Sequence, residues 1–160
     1  MLMVEKQKVI WAYAPAVYNA AACTAKYVSM KGYNHLTIIV MTGAFAGARA
    51  ITVNKATSVA AGSAEAHKFE WQWTDVAVNG TLVKTAVTAS TFNTSVANSV
   101  HIIEIDAADL LNDKTTGLAE TLQYDCVSLE INNVAANDAF GVLYILSEPR
   151  FGVAISALVD

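Results

Sequence analysis

The amino-acid sequence predicts an all-β protein, an antiparallel β-sandwich of jelly-roll type with an extended N-terminal arm. Three observations carry that expectation. About seven or eight strand-like runs succeed one another at intervals of roughly 8 to 15 residues, the spacing of a sandwich. Turn-competent pairs, Lys31-Gly32 and Asn79-Gly80, stand between them. No helical periodicity continues beyond about two turns, which argues against parallel α/β architecture.

Taken in order, Val4 to Tyr13 reads as extended, and the Ala-rich piece from Pro15 to Ala25 as an arm or loop of small side chains. Residues 1–25 are thus arm and first strand of one domain spanning 1–160. The stretch from Tyr27 to Gly43 reads as strand, turn and long strand, with Leu36 to Met41 apolar on both pleat faces except for Thr37. Such a strand is expected to be buried on both sides. Ala50 to Asn54 alternates as a short strand. In Lys68-Phe-Glu-Trp-Gln-Trp-Thr74, Phe69, Trp71 and Trp73 share one face, expected to pack on the core. Asn79-Gly80 joins that strand to Leu82–Thr88, forming a hairpin. Val100 to Ile105 is the next strand, and Asp106 is placed to cap a helical turn through Asp109, Leu110 and Leu111. The apolar phase slips between Cys126 and Val127, which predicts a bulge or a bend between sheets. Ala139 to Leu146 is a second doubly apolar strand, ended by Glu148-Pro149, and Phe151 to Val159 is either a last strand or a partner-binding tail.

At 160 residues the chain is long enough to bury roughly 70% of its unfolded surface, so neither metal nor disulfide is needed to hold it. Only 15% of residues are charged and 54% are hydrophobic, against about 25% charged in an ordinary soluble domain. Part of the surface is therefore expected to be hidden by neighbouring subunits. A net charge of −4 offers no basic patch, so neither nucleic acid nor an anionic membrane is an expected partner. The apolar stretch ending Ala20-Ala-Ala-Cys23 superficially has the form of a cleaved leader, but Glu5 lies in its basic region and Tyr13, Pro15, Tyr18 and Asn19 interrupt it. With no run near the about 18 apolar residues that span a bilayer, a soluble protein is expected.

The residues that carry chemistry elsewhere are scattered here. His35, His67 and His101 fall in separate segments without metal-ligand spacing, and each is expected to make a backbone hydrogen bond. Glu104, Asp106, Asp109 and Asp113 read as solvated surface rather than the facing carboxylates of a glycosidase. No serine-hydrolase elbow, phosphate loop, dinucleotide fingerprint or zincin motif occurs, and Gly43 to Gly47 lacks the following lysine and helix of a phosphate loop. The expectation is a protein that is not an enzyme and holds no cofactor or metal. Phe69, Trp71 and Trp73 would form a sugar-stacking platform only if they faced solvent. Cys23 and Cys126 are either two buried thiols or a disulfide, within the chain or between subunits.

Three blocks resemble small virion structural proteins of tailed bacteriophages: Tyr27-Val-Ser-Met-Lys-Gly-Tyr33 through Gly43, Val100-His-Ile-Ile-Glu-Ile-Asp-Ala-Ala-Asp-Leu110, and Tyr124-Asp-Cys-Val-Ser-Leu-Glu-Ile131 with Gly141 to Phe151. The likeness covers residues 17 to 151 in order and leaves 152–160 as a C-terminal extension. It implies a head decoration or cement protein that bridges capsomers of the major capsid protein on the outside of the virion. It further implies assembly in the host cytoplasm and small oligomers, trimers in form. The alternative is a tail, baseplate or carbohydrate-binding receptor module. Composition makes Tyr13, Pro15, Val17 and Tyr18 in the arm, and Arg150, Phe151, Val153 and Ile155 at the far end, the candidate interface residues.

Overall fold

The computed structural model describes residues 6–19, 22–45, 47–76, 80–111 and 122–150. Among them the chain forms β1 (Lys8–Tyr18), β2 (Ala22–Thr24), β3 (Val28–Ser29), β4 (Tyr33–Thr42), β5 (Arg49–Ala56), β6 (Glu65–Ala66), β7 (Trp71–Val76), β8 (Val83–Ala86), β9 (Thr91–Thr94), β10 (Ser99–Asp106), β11 (Cys126–Asn132) and β12 (Asp138–Pro149). A single 3-10 turn, Asp109–Leu111, follows β10. One sheet, A, has the order β1-β12-β4-β10-β7-β8; the other, B, has β2-β11-β5-β6, with β3 also on β11 and β9 on β5. All the pairings are antiparallel. The chain alternates between β1-β12-β4-β10 and β2/β3-β11-β5-β9, which is the jelly-roll path, and the β7–β8 hairpin widens sheet A beyond it.

Alternation along the central strands supplies the core. Leu36, Ile38 and Val40 of β4, Val142, Tyr144 and Leu146 of β12, and Ile103 and Ile105 of β10 point inward from sheet A. They meet Ile51 and Val53 of β5 and Val127, Leu129 and Ile131 of β11. Two polar ties join the layers. Arg49 on β5 and Asp138 on β12 form a buried ion pair, with Arg49 Nε on Oδ2 and Nη2 donating to Oδ1 at 2.9 Å. The carboxylate hydrogen bond holds the guanidinium above its usual pKa. Between β2 and β3 the ladder on β11 is interrupted, and there the Tyr144 hydroxyl accepts the Leu129 N–H at 2.8 Å. An N–H that would otherwise be buried without a partner is thus satisfied from the opposite sheet.

Several local expectations meet a different structure. Gly32, at φ +90°, makes the expected turn, but Val28-Ser29 pairs with β11 in sheet B while β4 belongs to sheet A. The turn therefore crosses between layers instead of closing a hairpin; local residues set its shape and not its partner. The hairpin of β7 and β8 is present, with Gly80 at φ +77° and Asn79 outside the described residues. The phase slip at Cys126 marks where β11 begins, because Leu122 to Asp125 precedes the strand. Asp106 is the last residue of β10, and its carboxylate is 2.7 Å from His35 Nδ1, so it bonds that ring instead.

Candidate interaction surface

The arm is itself an edge strand. β1 pairs with β12 along its length, with bulges between Trp11 and Tyr13 and between Tyr13 and Ala16. Each bulge adds one residue and reverses the phase. Trp11 consequently faces outward beside Leu143, whereas Tyr13 turns inward beside Val142, and Tyr18 follows it beside Asp138. Tyr13 and Tyr18 meet edge-to-face at 5.3 Å, and Tyr18 stacks on Phe140 at 4.4 Å. Burial raises the pKa of both phenols above the usual value, so they serve as neutral packing groups. Pro15, tolerated at the edge, lies over Gly141: a Cβ there would sit 3.0 Å from the proline ring and 3.2 Å from its backbone.

The candidate residues therefore divide. Tyr13 and Tyr18 pack against the protein's own sheet, which corrects their assignment to a free arm. Pro15 and Val17 stay exposed, Val17 at 58%. Arg150 is exposed yet anchored to the start of β4, its N–H donating to Gly32 O at 2.8 Å and its Nε to Asn34 Oδ1 at 2.8 Å. Phe151, Val153 and Ile155 lie outside the described residues. Cys23 and Cys126 are free and buried. Register sets Cys23 opposite Ile131 and Cys126 opposite Ser29, at opposite ends of β11, too far apart for a bond within the chain. Burial keeps both thiols from another chain, and the Cys126 thiol is pushed up to about 12, first by desolvation and then by its contact with Asp125. Of the two readings, two buried thiols is the one the fold shows.

What the sequence reading missed is the outer face of sheet A. Register aligns Trp11, Leu143, Ile39, Ile102 and Trp73 in one row across five strands. Val9 and Ile145 lie in the next row on one side, and Met41 and Val100 on the other. The doubly apolar character of β4 and β12 comes from this: one face enters the core, and the other is only half-covered by the chain. Likewise Phe69 is buried before β7 begins, but Thr74 is the inward residue of β7, and Trp71, 40% exposed, points out with Trp73. The expectation that all three aromatics share the core face is corrected. A preference for alternation identifies two faces without saying which one faces inward.

The margins of this face are polar. His35 binds Asp106 at 2.7 Å and approaches Glu104 at 3.8 Å, so its partners are carboxylates and not backbone. Glu104 and Asp106 are exposed, as expected. His67 is buried, and its main-chain N–H donates to Val53 O at 2.8 Å. His101 is inside, with Thr74 Oγ1 at 3.0 Å from Nδ1 and Ser99 Oγ at 3.0 Å from Nε2, and burial lowers its pKa to about 4. A shallow cleft between Trp71, Trp73, Glu104 and Asp106 is the nearest feature to a sugar platform. The Lys84 ammonium, however, lies 4.1 Å from the Trp71 ring centroid and 5.3 Å from that of Trp73, over the faces a sugar would stack on.

No family model matches the chain, and no curated protein sequence matches it. Among solved structures, the fold is similar to that of the SPBc2 prophage-derived protein YomS, with a TM-score of 0.50 and 11% identity over 89% of this chain and 93% of that one. Lower scores relate it to Bacillus endospore appendages, described as a family of disulfide-linked pili (0.41; 9% identity; 89% and 87% covered), and to PirA (0.35; 10% identity; 86% and 94% covered). The likeness to YomS is one of fold.

Proposed function

We propose that the chain is a non-enzymatic structural protein of a phage particle that works by docking, with the outer face of sheet A as its docking surface. The observation that carries this reading is the uncharged row of Trp11, Leu143, Ile39, Ile102 and Trp73, a breadth of apolar surface that an isolated soluble domain rarely leaves open. The fold shared with a prophage-derived protein and the resemblance of three sequence blocks to phage virion proteins support the setting. Within it, the role is decoration of the head exterior: a small homo-oligomer seated on the major capsid protein and bridging capsomers, where many weak contacts add through multivalency.

The carbohydrate-binding alternative draws on Trp71 and Trp73, but Lys84 occupies the ring faces it would need. The test is to add purified protein to empty expanded heads of the phage that encodes it and record sedimentation and head melting. Co-sedimentation with a raised melting temperature is expected. Binding to host glycan without binding to heads would overturn the decoration role.

A further inference from the structure

The occupant of the sheet A face follows from its own pattern. The row reads aromatic, aliphatic, aliphatic, aliphatic, aromatic, and β4 is its midpoint. A two-fold axis parallel to β4, lying between two stacked copies, sets Ile39 against Ile39, Leu143 against Ile102, and Trp11 against Trp73 together with the Lys84 ammonium that lies 5.3 Å from its ring centroid, a cation that a second indole can also face. The same operation sets no charge against a like charge near the centre. Glu104 comes toward Ile145 while keeping His35 at 3.8 Å, and Asp75 comes toward Pro15. On the next row Val100 comes toward Gly141, over which Pro15 already lies.

Five strands about 4.8 Å apart and three rows of same-face residues about 6.8 Å apart give a flat face of roughly 490 Å², to which the relief of its side chains and the rim add. A standard stable interface takes about 800 Å² per partner. Face-to-face sheets pack with their strands within about 30° of one another.

We propose that this face is the interface with a second copy of the same chain, giving a two-fold dimer of sandwiches stacked sheet A on sheet A. The inference rests on reading the face as a docking surface. It departs from the trimer that the resemblance implies, because a face packed on itself is isologous and closes at two copies. The dimer then meets the capsid through other surfaces, such as Pro15 and Val17 at the rim.

The experiment is sedimentation velocity of the full chain over a range of micromolar concentrations, with Ile39→Glu, Trp11→Ala and, on the outer side of sheet B, Thr52→Glu. The expected species is twice the 17.0 kDa chain. Ile39→Glu, at the centre, should weaken association by about 100-fold or more, as for a hot-spot residue. Trp11→Ala removes an edge side chain that is 55% exposed, so it leaves folding intact; about a 10-fold loss is expected, and Thr52→Glu should change nothing. A wild-type monomer or trimer at every concentration overturns the proposal, as does a dimer unaffected by Trp11→Ala while Thr52→Glu dissociates it. A dimer that fails to bind heads refutes the decoration role alone; a monomer that binds them refutes the dimer alone.

Discussion

The two outer faces of the sandwich are made from the same alternating strands and have opposite chemistry. Outside sheet B stand Thr24, Thr52, Asn54, Glu130 and Asn132, and several of them hold polar partners there: Thr52 and Thr91 hydroxyls are 2.8 Å apart, and Asn54 Nδ2 donates to Glu130 Oε2 at 3.2 Å. Outside sheet A stand Trp11, Leu143, Ile39, Ile102 and Trp73, which have no such polar partners to make. Sheet B is finished toward water by a polar layer that holds the Glu130 carboxylate among uncharged side chains. Sheet A is finished only by something else. The low charge content of the chain is therefore concentrated in meaning: sheet B shows that a soluble face was within reach of the same residue types, so the apolar face of sheet A is not a consequence of composition.

The effects expected of substitution diminish from the interior outward. Arg49→Ala should have the largest effect, because it strands the fully buried Asp138 carboxylate without its cation between the sheets. A loss of about 3–5 kcal/mol is expected, read as a lowered urea midpoint with little change in slope. If the protein melts unchanged, the two layers are not tied there.

Acid should come next. Unfolded, the His101 imidazole has its ordinary pKa of 6.5; in the fold, desolvation lowers it to about 4. Between those values the unfolded chain takes up a proton that the fold excludes. The stabilisation is thus complete above pH 6.5 and is lost as pH falls toward 4, amounting to about 3 kcal/mol at most. Replacing it by His101→Gln should flatten the melting temperature between pH 6.5 and 4, and an unaltered slope would assign the acid sensitivity to other groups.

The smallest effects on folding belong to the faces themselves. Trp11→Ala on sheet A should alter the stability of the isolated chain by no more than about 1 kcal/mol, and Thr52→Glu on sheet B, which gives up the Thr91 hydroxyl and faces Glu130 across the ladder, by about 1–2 kcal/mol. They should separate chiefly in assembly, and equal behaviour in both assays would erase the distinction between the faces.

Much of this fold was legible in the sequence, and the reasons for the misses are specific. Leu36 to Met41 and Ala139 to Leu146 announced the central strands β4 and β12, and Gly32 and Gly80 announced turns that need positive φ. Local pattern could not say that the turn at Gly32 passes from one sheet to the other, since partner choice is a non-local matter. The first bulge in β1 turned Tyr13 inward, and the second restored the original phase, so that Tyr18 also joins the Phe140 cluster; each inserted residue reverses every side chain after it. The docking face was present in the sequence as strands apolar in both phases. A sandwich has only one partner sheet for each layer, so that signal meant one buried face and one waiting face; it was read as burial on both.

All three tryptophans of the chain, Trp11, Trp71 and Trp73, stand on the outer side of sheet A, so their fluorescence reports on that face alone. Acrylamide quenching of their emission, followed from dilute to concentrated protein, reads whether that face is covered on assembly. Quenching should fall and emission shift to the blue as copies associate, with the change abolished by Ile39→Glu. Emission that remains red and equally quenched while the protein assembles would show that assembly uses another surface, and would contradict sheet A as the docking face.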